Sequence, residues 1–276
     1  MTQDLAARLD AHQSALAEQL LARATGVCLI HALPGAGKST LLKRISAMTG
    51  APVHRTAPVE PSPARGPILI DLQDGSDIRL PDEPDRLWIV VTIPEHVQDY
   101  SRLAIYGKLH QLGNTDLFAA GTAAVGSGWP AIAVHHDRAF GDRNTARTFL
   151  SDVVLKQLHP DLIDLLQAIA LSRNGLAEEQ LDVGHRADLR WLAPLLTVDP
   201  SKVWRLKSGC IAVSILEEIL KMEPVSPGAA EVLFRNAQPD FAIRSLVRAG
   251  QRKSALDLLS RCGGVMFGHL HGAQAT

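Results

Sequence analysis

The stretch Ala32-Leu33-Pro34-Gly35-Ala36-Gly37-Lys38-Ser39-Thr40 constrains this chain more than any other. It follows the apolar run Val27-Cys28-Leu29-Ile30, which reads as a buried strand, and it leads into Leu41-Leu42-Lys43-Arg44-Ile45, which reads as the first turns of a helix. Strand, Gly-rich turn and helix in that order are the context of a phosphate-binding P-loop. A phosphate chain has to come within hydrogen-bond reach of successive backbone N–H groups, so Gly35 and Gly37 omit the Cβ atoms that would block the approach. Lys38 supplies a cation for β- and γ-phosphates, and the Ser39 hydroxyl is a ligand of the kind Mg²⁺ takes. The positive end of the following helix adds to the same field. Ala32 stands where the pattern usually has its first Gly, a tolerable departure. Pro34, Gly35, Ala36, Gly37, Lys38, Ser39 and Thr40 are therefore the candidate nucleotide-contacting residues.

Downstream, Ile68-Leu69-Ile70-Asp71 has the form of a Walker B strand, an apolar run ending in a carboxylate that can hold Mg²⁺ through water. Ser39 and Asp71 are the candidate metal ligands. Many such ATPases place a second acid directly after this one to polarise water, but here the next residue is Leu72, and Asp74 is two further on. Asp71 and Asp74 are the candidate catalytic carboxylates, and hydrolysis is expected to be weak or absent. Thr92, closing the β-rich run Leu87-Trp88-Ile89-Val90-Val91, reads equally as a sensor of the γ-phosphate or as a strand-end cap.

The net charge of −1 gives no general pull on nucleic acid or anionic membrane, so direct DNA binding is not expected. Cys28, Cys210 and Cys262 make no C-x-x-C pair and read as buried thiols of a reducing compartment. With no signal-peptide pattern and no apolar stretch long enough for a bilayer, the expectation is a cytoplasmic protein. His135-His136 and His269-x-His271 do not have metal-site spacing. Arg138, Arg143 and Arg147 read as a solvated helix face that could include a phosphate-sensing Arg.

Leu5, Leu9, Leu16, Leu20 and Leu21 mark one face of a helix over residues 3–24. Gly50 should end the helix after the loop, and Pro52 to Thr56 reads as a strand. Four prolines between positions 58 and 67 mark a loop. Lys108 to Gly113 reads as a last strand before a helix capped by Asn114 or Thr115. From about Thr145 the pattern turns helical, with an apolar stripe of Phe149, Val153, Val154 and Leu158 and a helix restarting at His159-Pro160-Asp161. A helix over Leu189–Leu196 precedes Asp199-Pro200-Ser201, a turn between two short strands, and Ile211–Met222 resumes as helix; short helices around a β-ribbon have the order of a winged helix. Beyond the Pro224–Pro227 break, helices around 241–249 and 254–262 have the spacing of an antiparallel α-solenoid pair. The fold expected is α/β: a reduced P-loop NTPase sheet over 1–144, a helical winged-helix-like module over 145–223, the start of an α-solenoid over 228–262, and a loose tail over 263–276.

This order of motifs resembles the STAND class of signal-transduction NTPases, specifically the MalT-like regulators of the LuxR type. The resemblance is carried by the loop from Ala32, Ile-Leu-Ile-Asp ending at Asp71, Tyr106-Gly107-Lys108-Leu109 with Asp116-Leu117-Phe118, Gly128-Trp129-Pro130-Ala131-Ile132, Phe149-Leu150-Ser151-Asp152-Val153-Val154-Leu155, and Ala242-Ile243 through Leu259. It implies ATP or ADP with Mg²⁺ as ligand, a nucleotide-facing role for Gly128 and Pro130, a packing role for Trp129, and a switch that acts through a protein partner or self-association. The departures are connectors shorter than the family's, Ile93-Pro94 where an Arg is common, and Lys207 where a His follows the wing. The inducer-sensing array and the DNA-binding helix-turn-helix have no counterpart here, so the chain reads as a fragment or a reduced relative. Two other classes compete: a non-catalytic interaction module derived from a decayed NTPase, and, less favoured, a small-molecule kinase.

Overall fold

Three apolar runs in the first half of the chain end in a loop residue or a carboxylate, and all three become strands of one parallel sheet. The computed structural model describes residues 2–56, 66–72, 77–92, 97–98, 100–118, 129–131 and 143–262, which fall in two compact units, 1–141 and 142–276.

In the first unit, α1 (Thr2–Leu21) precedes β1 (Gly26–Ile30), α2 (Lys38–Thr49), β2 (Val53–His54), β3 (Ile68–Asp71), β4 (Ile78–Arg79), β5 (Leu87–Val91), β6 (Val97–Gln98), α3 (Ser101–Ile105), β7 (Leu109–Leu112) and α4 (Asn114–Leu117). Five strands pair in the order β2-β3-β5-β1-β7, every neighbour parallel, with Ile30 opposite Val91 and Asp71 also opposite Val91. β1, β3 and most of β5 are buried, as the unbroken apolar runs of a sheet covered on both faces require. Side chains alternate between the faces. Leu41, Leu42 and Ile45 of α2 are buried, and α1, whose Leu9, Leu16, Ala17 and Leu20 are buried, packs beside α2. The helix α2 closes at Gly50, as expected.

The opposite face explains the short connectors. Parallel strands usually need a crossover of about a dozen residues, commonly helical. Here the connections after β3 and β5 carry β4 and β6, which pair with each other in parallel, Ile78 beside Val97. Ile78, Leu80, Val97 and Leu103 then cluster with Val27, Leu29, Ile68, Ile70 and Val90, so a two-residue ladder and the single-turn α3 cover the face. One expectation is corrected. Neither Asn114 nor Thr115 caps α4; Gly113 does, its N–H donating to Asp116 Oδ2 at 2.7 Å, and Asn114 is committed elsewhere.

The second unit begins with α5 (Arg143–Thr148), which continues as a π-helical segment, Phe149–Leu155. Of the expected stripe, Val154 and Leu158 are buried, whereas Phe149 and Val153 are only partly so; Ala146 and Leu150 complete the buried face. The wider π-turn shifts the inward face. Next come α6 (Pro160–Leu171), β8 (Leu176–Ala177), α7 (Val183–Trp191), β9 (Leu196–Val198), β10 (Val203–Leu206), α8 (Ile211–Met222), α9 (Pro227–Arg235), α10 (Pro239–Arg248) and α11 (Arg252–Arg261). The β9–β10 ribbon is antiparallel, and β8 adds a third strand beside β10 that has no sequence signal beyond two residues. The helix expected over 189–196 lies earlier, as α7, followed by a 3₁₀ turn at Ala193–Leu195.

The Pro224–Pro227 break separates α8 from α9, a further helix that starts at its last residue. Ser226 caps it by accepting the Ala229 N–H at 3.0 Å, and Pro227 stands at its first position, where a missing N–H costs nothing. Buried Gln167 of α6 ties the turn before α9 in place, donating to Leu220 O and Pro224 O at 3.2 Å and accepting from Ser226 N–H at 3.0 Å. α9 packs on both α6 and α10, so the α10–α11 pair does not stand alone. Among the described residues, no helix is long and apolar enough to cross a membrane.

Candidate functional site

The carboxyl end of a parallel sheet is where ligands of such folds bind, and here β1 delivers the glycine loop to that end. His31 N–H continues the ladder to Leu112 O at 2.9 Å, after which the chain leaves the sheet. Three side chains or backbone groups then fix the loop. Leu33 N–H donates to Asn114 Oδ1 at 2.6 Å, Trp129 Nε1–H donates to Pro34 O at 2.9 Å, and Ala131 N–H donates to Gly35 O at 2.9 Å. Trp129 is wholly buried and stacks on Phe118 with ring centroids 5.7 Å apart. Gly35 and Gly37 have φ of +74° and +89°, left-handed values that glycine adopts without strain. Because Gly37 is also the cap of α2, no side chain caps the first amides of that helix.

Lys38 turns back into the loop. Its ammonium donates to Ala32 O at 2.6 Å and to Leu33 O at 3.1 Å. Burial pushes its pKa down to about 8, against the nearby Asp71 carboxylate, which raises it. Ser39 Oγ–H donates to Asp71 Oδ2 at 2.8 Å, and Asp71 is buried at the end of β3. A hydroxyl and a carboxylate from segments 32 residues apart therefore meet beside the ammonium. Oxygen donors of this kind suit a hard divalent cation, and the amides and Lys38 suit an anion.

Thr92, at the end of β5 between the β1 and β3 ends, is buried and donates its N–H to Ile30 O at 3.3 Å. Pro130 is buried with its Cβ 3.7 Å from where a Cβ on Gly37 would lie, so it faces the loop. Ala36 is buried, Pro34 is half-buried and Thr40 is exposed. Asp74 and Gly128 lie outside the described residues, as do His135, His136 and Arg138. In the second unit, Lys207 Nζ donates to Pro194 O at 3.2 Å, Arg143 pairs with Glu218, and an Arg147 guanidinium N–H donates to Met222 Sδ at 3.0 Å. Among the described residues, no group of His, Cys, Asp or Glu is placed to hold a metal ion by itself.

Two residues of the site escape a reading by motif. Asn114 looks like a helix cap, and its role at Leu33 depends on the β1–β7 pairing. Gln13, whose Nε2 lies where a Cβ on Gly37 would be, has a signal in the sequence: it stands on the buried stripe of Leu9, Leu16 and Leu20, where an apolar residue is the rule. Compared with protein-family models and with curated proteins, the chain matches none.

Proposed function

We propose that the first unit binds ATP or ADP with Mg²⁺ on the loop Pro34–Thr40, and that the protein is a nucleotide-dependent switch resembling the MalT-like, LuxR-type STAND regulators. The observation that carries this reading is the Ser39–Asp71 hydrogen bond at 2.8 Å beside Lys38, because it joins the two motif halves that a triphosphate and its cation need together. The strand order supports it as well. β5 lies between β1 and β3, so Thr92 ends between the loop and Asp71. Pro130 and Ala131 against the loop agree with the role that the resemblance gives this segment. The ribbon of β9 and β10 between helices is compatible with a winged-helix-like module in the second unit.

The residues do the work of binding. The amides at the start of α2 take phosphate oxygens, Lys38 neutralises them, and Ser39 and Asp71 would hold the cation. Mg²⁺, when bound, supplies neutralisation of charge on the phosphate oxygens. With Leu72 where a second acid is common, slow or absent hydrolysis is the expected rate, and the helical unit would report nucleotide state to a protein partner or a second copy. A cytoplasmic location fits this role.

A second reading has its own support. The Lys38 ammonium is already accepted by two carbonyls of its own loop, as in a decayed NTPase whose loop is only structural. Equilibrium titration with fluorescent ATP and ADP separates the two. The switch predicts saturable binding by the wild type that is lost in Lys38→Ala, whereas no binding by either protein leaves the interaction module.

A further inference from the structure

The buried face of α1 runs through Leu9, Gln13, Leu16, Ala17 and Leu20. Four of these five are apolar, and the fifth is a primary amide only 5% exposed. The Gln13 amide carries two donors and an acceptor. It is aimed at the glycine loop, with Nε2 in the space that a Cβ on Gly37 would need and with the Pro130 ring on the same side. Its neighbours on α1 are tied down: Arg44 of α2 donates to Ser14 Oγ at 2.5 Å and pairs with Asp10, and His12 Nε2 lies 2.8 Å from Asp116 O. Gln13 is thus a polar group held at the cap of α2 by a fixed helix. An apolar side chain of the same size would suit the stripe better.

We infer that Gln13 is a ligand-contacting residue of the loop site, its amide hydrogen-bonding the phosphate-bearing ligand that seats on Gly37 and Lys38, so that α1 forms one wall of the site. This rests on the reading of the loop as a nucleotide site. It also ties the seat of α1 to occupancy of the loop, because the ligand would bond the Gln13 amide.

The test is titration of the full chain with N-methylanthraniloyl-ATP and Mg²⁺, paired with thermal unfolding without nucleotide. Gln13→Met removes the amide and keeps the volume, and Gln13→Glu places a carboxylate against phosphate. The expected results are an affinity at least fivefold weaker for Gln13→Met and at least tenfold weaker for Gln13→Glu, with the nucleotide-free Tm of Gln13→Met equal to or above that of the wild type. A residue that only packs α1 would instead lower Tm and leave affinity intact, which would overturn the inference. If the wild type binds and both variants bind equally well, this inference alone fails. If the wild type does not bind, the nucleotide reading fails and takes the inference with it.

Discussion

At the residue scale, Lys38 is the group whose protonation tests the site. Its pKa lies near 8 in the fold, below the ordinary 10.5, because burial disfavours the ammonium. Between these values the unfolded chain holds a proton that the native lysine has released, so the stability contributed by this residue rises with pH across that window and is at its lowest below pH 8. Lys38→Met has no such titration. The wild type should therefore gain Tm relative to Lys38→Met from pH 8 to pH 10, and a difference that stays flat with pH contradicts the burial of the amine. Anion binding has the opposite sign: affinity for a triphosphate should fall as pH rises through about 8, well before the 10.5 of an ordinary lysine. Ser39→Ala removes a hydrogen bond worth about 1 kcal/mol to folding. Its larger effect should be on binding, with the Mg²⁺ dependence of nucleotide affinity abolished in a titration with and without the cation.

At the element scale, the β8–β10 pairing of the second unit depends on one close approach. A Cβ on Gly175, whose φ is +79°, would lie 2.6 Å from the Trp204 carbonyl oxygen, which is backbone and cannot swing aside. Gly175→Ala should cost roughly 2–3 kcal/mol, from strain of this kind, read as a lower midpoint in urea unfolding. The elements legible in the sequence were those carried by local pattern. The apolar runs before Ala32, Asp71 and Thr92, the ribbon around Asp199-Pro200 and the helix Ile211–Met222 all lie where periodicity puts them. What stayed hidden was set by contacts between distant segments. The β4–β6 ladder is two residues long on each side, too short for alternation to show. α9 opens on Pro227, which closes the break and starts the helix, and the Ser226 cap marks that start. The inward stripe of the π-segment at Phe149–Leu155 follows a wider turn than a 3.6-residue period describes. Near the loop, Lys38, Ser39 and Asp71 were readable because their chemistry comes with a spacing, whereas Gln13 and Asn114 reach the loop across the fold and belong to no motif.

At the scale of the whole molecule, the three thiols report on packing in both units. Cys28 is buried in β1 with its pKa pushed up to about 12, Cys210 is buried, and Cys262 is half-exposed at the end of α11. Under native conditions at pH 8, Ellman's reagent should label one thiol per chain, Cys262, with the other two reacting only on unfolding; fast labelling of Cys28 would mean that the sheet opens readily. The account as a whole stands on the occupancy of one loop. Its most direct test is a crystal structure of the full chain grown with ADP and Mg²⁺. The prediction is density for the diphosphate within hydrogen-bond distance of the amides at the start of α2 and of Lys38 Nζ, with the cation beside Ser39 and Asp71. An empty loop in crystals grown at saturating nucleotide, or nucleotide bound elsewhere on the chain, would contradict it.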